Sequence, residues 1–281
     1  MKRLIIIFTL TLVLLNMHAT GQDGDIIYID GVQWELLGKY IGMDKELSHG
    51  LYVSLPKERV TKSSNWSGYT AYWSIRQDKV YLDSIKCERY EGATKKSWME
   101  SIPKDTLLRV FKNHCDGNDI VASWITGKIR TAKGKMIYYQ HSGFERNYEE
   151  EQILSLDHGK VTERQVFQNY VTEGFSFDHY NPKNHNELRE MFPLHTELYP
   201  ELADVKRIVF SVKRARVDAT GHLVDCEVRV LKPGDNPKLA AEMAEAMKAY
   251  HPWHVMFING EYRGYGIEGY TLIFPLNDNE D

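Results

Sequence analysis

Between Lys206 and Leu276 the hydrophobic period changes twice, from two to helical spacing and back, and few folds accommodate that order in so short a span. From Arg207 to Val217, Ile208, Phe210 and Val212 alternate with Val209, Ser211 and Lys213, the period of a strand with one buried face. Asp218-Ala219-Thr220-Gly221 supplies turn residues. Val224, Cys226, Val228 and Val230 then share one face while Asp225, Glu227 and Arg229 share the other, so a half-buried hairpin is expected. Pro233 to Tyr250 changes period: Leu239, Met243, Met247 and Tyr250 recur at helical spacing, and Lys238, Glu242, Glu245 and Lys248 stay polar. Asn236 suits an N-cap and Pro237 a first helical residue. Pro252 ends the run by disfavouring helix at His251. Each buried side chain of that stripe contributes roughly 1.5–3 kcal/mol, enough to dock the helix on the hairpin. Asn259-Gly260 turns the chain, and Tyr270 to Phe274 returns as a strand. The pattern predicts a β-β-α-β domain of the α+β class.

These residues carry a resemblance. Asp218 to Gly221 inside a hairpin, Gly234-Asp235 before a helix with Leu239 and Glu242, Pro252-Trp253, Asn259-Gly260 and a closing strand ending Phe274-Pro275 together resemble the C-terminal domain of TonB-type energy transducers. Tyr199-Pro200 resembles that family's Tyr-Pro element, with a shorter spacer to the strand. The likeness covers about 80 residues and implies a two-layer fold whose last strand accepts a short segment of an outer-membrane receptor by strand addition. Carried over by position, Ile267, Gly269, Tyr270, Thr271, Leu272 and Phe274 are the candidate partner-binding strand, with Tyr199 and Pro200 beside it. The sequence also departs from the family. A cleavable-type leader and a folded β domain stand where transducers keep an uncleaved anchor and a long proline-rich spacer, and Trp253 is followed by His254-Val255-Met256 in place of a proline and a small residue.

The rest of the 281-residue chain divides as follows. Lys2 and Arg3 precede the apolar run Leu4 to Leu15, and Ala19 and Gly21 are spaced for cleavage. That run is too short to span a bilayer and reads as a secretory signal peptide over residues 1–21. No cysteine follows it to carry a lipid. An exported protein of the periplasm or outer surface of a Gram-negative-type envelope is the expectation, with no transmembrane segment after cleavage. Residues 22–172 show six to eight short strands with turn signals: Ile26 to Ile29 and Val32 to Leu37 around Asp30-Gly31, a strand over residues 69–76, its partner over 79–85, strands within 120–126, 127–131 and 135–139, and a hairpin around Asp157-His158-Gly159. A short helix over 104–114 interrupts them, with Asp105 as candidate cap. A mainly β domain is expected, a sandwich or partly closed barrel. Residues 173–198, with Phe175, Phe177, Tyr180, Phe192 and Leu194, form a connector too apolar to be free. The TonB C-terminal-like domain occupies 199–281.

Chemistry-bearing motifs are sparse. Gly264 to Gly269 matches G-x-G-x-x-G but precedes a strand, where a dinucleotide needs a helix; the glycines read as a strand entrance. His114, Cys115, Asp116 and Asp119 lack a second ligand pair for zinc and a calcium-loop pattern, so no metal and no cofactor are expected. Cys87 and Cys115 admit pairing in an oxidising compartment, and Cys226 reads as a buried thiol. Glu149-Glu150-Glu151 reads as a solvated edge because neighbouring strand residues face opposite ways. With no nucleophile motif, no catalytic residue is assigned. The formal net charge of −4, lower still without Lys2 and Arg3, argues against nucleic acid. Three readings stand: a non-enzymatic cell-envelope protein recognising a protein or peptide; a small-ligand or glycan binder using Trp66, Tyr69, Tyr72, Trp73, Tyr81 and Trp124, with the last domain as accessory; and an enzyme whose site the sequence hides.

Overall fold

The computed structural model describes residues 21–176, 185–264 and 269–276, so the expected leader lies outside the described residues apart from Gly21. The protein is mainly β and divides into two compact units between Gln168 and Asn169.

In the first unit, Asp30 and Gly31 both take positive φ, 53° and 78°, the geometry a two-residue hairpin demands, and join β1 (Asp25–Ile29) to β2 (Val32–Leu36). Helix α1 (Lys45–Ser54) follows, started by the Asp44 carboxylate, which accepts from the Glu46 and Leu47 N–H groups at 2.9 Å. Strand β3 (Thr70–Arg76) runs parallel to β1 and antiparallel to β4 (Lys79–Glu91), which β5 (Lys96–Ser101) extends on its far half. Helix α2 (Lys104–Val110), the ribbon β6 (Cys115–Asp116) and β7 (Asp119–Ile120), and the strands β8 (Gly127–Tyr139), β9 (Arg146–Asp157) and β10 (Lys160–Gln168) complete the unit. The sheet order is β10-β9-β8-β2-β1-β3-β4-β5, and β10 also pairs with β4 where Lys160 meets Lys79. Val80 N–H donates to the Gly159 carbonyl and Val161 N–H to that of Asp78, at 2.9 and 2.7 Å. The pairing therefore runs round from β4 and meets β10 at that one end, with β5 left outside. Ile27, Ile29, Leu36, Trp73, Leu82, Ile129 and Leu154 fill the core, and Leu47, Leu51, Leu107 and Phe111 from the helices join them.

Four local readings differ from the structure. The strand expected over 120–126 is a turn, since β7 ends at Ile120 and the Ile125 N–H donates to the Ala122 carbonyl at 2.9 Å. Helix α1 falls where the sequence looks mixed and polar, because Gly50, Tyr52 and Val53 dilute the helical signal of Leu47, Leu51 and Leu55. Pro103, not Asp105, holds the cap position of α2, without a side-chain bond. The two strands expected on either side of Gly134 are one: Gly134 takes φ 85° and β8 continues through a register shift between Lys133 and Met136, a bulge rather than a break.

The second unit begins with β11 (Tyr170–Val171) and α3 (His185–Met191). Strands β12 (Arg207–Val217) and β13 (Leu223–Lys232) form the hairpin, and Asn236 caps α4 (Pro237–Ala249) through the Leu239 N–H at 3.0 Å. The chain then makes β14 (Met256–Ile258), which pairs with β11 and β15 (Glu261–Tyr262), and ends in β16 (Gly269–Pro275). The main sheet has the order β13-β12-β16, antiparallel throughout. Leu239, Met243 and Met247 of α4 bury against Phe210, Val212, Leu272 and Phe274, and Phe175 and Phe192 join the same core. Trp253 is fully buried there; its Nε1–H donates to the Met247 and Tyr250 carbonyls at 3.2 and 3.1 Å. Backbone closes on Trp253 from two sides. A Cβ at Gly221 (φ 86°) would lie 2.7 Å from the Trp253 carbonyl oxygen, and one at Gly174 (φ 154°) 2.5 Å from the His254 nitrogen. Only glycine fits either place.

The first unit contains a buried ion pair. Asp25, fully buried, accepts from Lys39 Nζ at 2.6 Å, the Ala71 N–H at 3.0 Å and Trp73 Nε1–H at 3.3 Å. Burial pushes its carboxyl above the ordinary value against the pull of Lys39, so the carboxylate depends on its partner. Lys39→Ala is expected to destabilise the first unit by about 3 kcal/mol, and Lys39→Ala combined with Asp25→Asn to recover part of the loss. Denaturant unfolding followed by tryptophan fluorescence measures both.

Candidate functional site

Among the described residues β16 pairs only with β12, so its other side is an edge. The Leu276 N–H donates to the Lys206 carbonyl at 2.9 Å, in the register that sets Phe274 against Ile208 and Leu272 against Phe210. Antiparallel pairs exchange bonds at every second residue. Tyr270, Leu272 and Phe274 therefore turn their main-chain groups toward β12, and Gly269, Thr271 and Ile273 turn theirs to the open side. Pro275 has no N–H and ends the row. Thr271 and Ile273 also expose their side chains, Ile273 by 46%.

Of the residues assigned from sequence, the structure gives Gly269 and Thr271 to the edge, buries Leu272 and Phe274 in the core, leaves Tyr270 half-buried, and leaves Ile267 outside the described residues. The residue that sequence reasoning missed is Ile273. Its signal was the period of two, which separates 269, 271 and 273 from 270, 272 and 274. The described contacts of Tyr199 lead to α4: its hydroxyl donates to Glu242 Oε2 at 2.6 Å, while Pro200 opens a short 3-10 turn, Pro200–Leu202. Glu242 also accepts from the His195 N–H at 2.6 Å and faces the His195 ring nitrogen Nδ1 at 2.9 Å. Partial burial alone would lift the Glu242 carboxyl, but these hydrogen bonds outweigh it and hold the group below the usual carboxylate value. The Tyr199 phenol is pushed up to about 12, first by its bond to Glu242 and then by burial.

The aromatic residues considered for a ligand face separate. Trp73 and Tyr69 are buried and Trp124 packs on Phe111 at 5.2 Å between ring centroids, so these three belong to the core; Trp66 is 75% exposed. Tyr69 also reaches a small concavity of roughly 120 Å³, and Tyr72 reaches a larger groove of roughly 530 Å³ whose lining also includes Trp34, Glu35, Gln33, Lys133 and Tyr148. Glu35 is held there by the Tyr148 hydroxyl at 2.7 Å, the Gly24 N–H at 3.2 Å and a short ion pair to Arg146. Burial first and then the Glu35 carboxylate push the Tyr148 phenol up to about 12. Lys133 Nζ lies 4.8 Å from the centre of the Trp34 ring, and Lys86 Nζ 4.5 Å from that of Tyr72, both within cation–π range.

Other sequence candidates resolve locally. Cys87, Cys115 and Cys226 are free thiols, and burial raises Cys226 to about 11. His114 Nδ1 lies 2.6 Å from the Ser123 hydroxyl. The glutamate run is solvated only in part: Glu149 is exposed and Glu150 half-buried, but Glu151 is fully buried, bonded by Arg130 at 3.2 Å and by Asn147 and the Tyr148 N–H at 2.9 Å, because the β8–β9 register sets Arg130 close to it. Gly264 takes φ 68°, and residues 265–268 of the glycine motif lie outside the described residues.

Comparison with protein-family models, with curated proteins and with solved structures finds no match.

The Tyr199–Glu242 link has a pH signature. Glu242, depressed in the fold, contributes stability above the ordinary glutamate value and loses it as pH falls through the depressed one; Tyr199, raised, contributes below pH about 10 and loses it as pH rises through about 12. Tyr199→Phe is expected to cost about 1–2 kcal/mol at pH 7, and its deficit against the parent to narrow as pH drops below about 4. Denaturant titrations across that range measure the gap.

Proposed function

We propose that the protein is an exported, non-enzymatic component of the cell envelope that recognises a protein or peptide by strand addition at β16, in a domain of TonB C-terminal-like arrangement. The observation that carries this reading is the open side of β16, where Gly269, Thr271 and Ile273 aim main-chain donors and acceptors away from β12. Each bond to an incoming strand contributes a net ~0.5–1.5 kcal/mol, and the exposed Thr271 and Ile273 side chains select its residues. The hairpin, the docked α4 and the returning last strand support the family likeness.

A second reading draws on the groove of the first unit, which we propose lies on a partly closed barrel. Aromatic rings, a carboxylate fixed by three donors and Lys133 converge there, as in sites for small polar ligands or glycans. Under this reading the second unit is an accessory.

A photo-crosslinking residue at Thr271, used on native envelope extract, decides between them. Strand addition predicts crosslinks gathered in one extended segment of a partner and lost on Ile273→Pro, and affinity capture of that partner by a tagged chain without the crosslinker lost on deletion of residues 197–281. Capture unchanged by that deletion would sink the strand-addition reading and leave the groove, where Tyr72→Ala is the variant expected to weaken binding.

A further inference from the structure

The three-stranded sheet has a second open side. Among the described residues β13 pairs only with β12, over a strand of 10 residues. Phe210 and Val212 spend their main-chain groups on β16, so Ser211 and Lys213 supply the bonds to β13, opposite Arg229 and Glu227. Cys226, Val228 and Val230 are left directing their N–H and C=O groups outward. Between them Asp225, Glu227, Arg229 and Leu231 stand exposed on the solvent side of the sheet.

Charges along an edge ordinarily keep other strands away, so the order of the charges decides what this edge admits. Two copies of one strand that pair antiparallel about a two-fold axis set residue i opposite residue j with a constant sum. Outward-directed residues have to meet outward-directed residues, which confines the central registers to those with Glu227, Val228 or Arg229 on the axis. The first sets Glu227 against its own copy beside two Asp225–Arg229 pairs, and the last sets Arg229 against its own copy; only the register on Val228 leaves no like charges opposite one another. With Val228 on the axis, Glu227 faces Arg229 of the second copy, twice over, and Cys226 faces Val230.

We propose that β13 is a homotypic edge, joining two copies of this chain into one continuous sheet with Val228 at the two-fold axis. That register forms about six main-chain hydrogen bonds and two Glu–Arg pairs. Arg214 holds Glu227 Oε1 at 2.6 Å in the single chain, but both side chains are largely exposed, by 80% and 48%. A pair so open to water yields readily to one inside a seam. The inference is independent of the function proposed for β16, which lies on the opposite side of β12.

Sedimentation of the full chain tests it. The parent is expected to dimerise at micromolar concentration. Glu227→Arg and Arg229→Glu, each alone, are expected to weaken the dimer about tenfold or more, and the double swap E227R/R229E to restore it, while Ile273→Pro leaves it intact. Amide exchange should slow at residues 226, 228 and 230 as concentration rises. A parent chain that stays monomeric into the millimolar range, single variants that dimerise like the parent, or a double swap that fails to recover would each overturn the proposal. Pairing of β13 with a different protein would appear as the first of these.

Discussion

A β-sheet has to dispose of its edges, and the two units of this protein answer that demand differently. Every strand has main-chain donors and acceptors on both sides, and those without a partner strand remain in water or wait for another chain. In the first unit the demand is met partly from within: β10 returns to β4 where Lys160 meets Lys79, so at that end the outer strand finds a partner in its own unit. What remains outside is β5, six residues, all exposed and with lysine and glutamate near its ends. The second unit cannot do the same. Three strands are too few, and both outer members of the main sheet keep one open side among the described residues.

An open edge is useful for binding only if the strand behind it is held still. Burial of Leu272 and Phe274 in the shared core, with α3 packed on the strand, does this for β16, and Trp253 does it for α4 itself. Its indole N–H ties to two carbonyls at the end of the helix, and Gly221 and Gly174 let the hairpin turn and the segment before α3 approach its backbone. The helix end, the turn and the last strand are thus parts of one packed body. A strand arriving at β16 pays to order itself but not to order its platform, and that difference separates weak from firm recognition by the same number of hydrogen bonds.

The sequence made the second unit legible because its signals are local. Alternation along Arg207 to Val217, the stripe of Leu239, Met243 and Met247, and the Asn236-Pro237 cap each depend on residues within a few turns of one another, and each appears where expected. What escaped depends on distance. That Ile273 belongs to the open side follows only from the register of β16 on β12, set by residues more than sixty positions apart. Glu151 looked solvated because the side chain that neutralises it, Arg130, reaches it across β8 and β9, in a register complicated by a bulge. The groove drew Trp34, Glu35 and Tyr148 from separate strands, and no single stretch of chain carries that pattern. Helix α1 was hidden for the opposite reason: Gly50 and Val53 weaken a helix that Leu47 and Leu51 then fix by burial in the core.

The chemistry of the two open edges also differs in a way that keeps them from competing. Strand β16 offers Gly269, Thr271 and Ile273, uncharged and cut short by Pro275, which suits an extended segment whose side chains are small or apolar. Strand β13 offers Asp225, Glu227 and Arg229, whose order sets opposite charges together without any like pair only when Val228 lies on the axis between two copies. If copies join through β13, the two β16 edges lie at opposite ends of a continuous six-stranded sheet. A partner carrying two copies of a β16-binding segment then gains from the second engagement without any new contact, by an amount set by the span between those ends. The edge that binds nothing but itself would thereby set the strength with which the other edge holds.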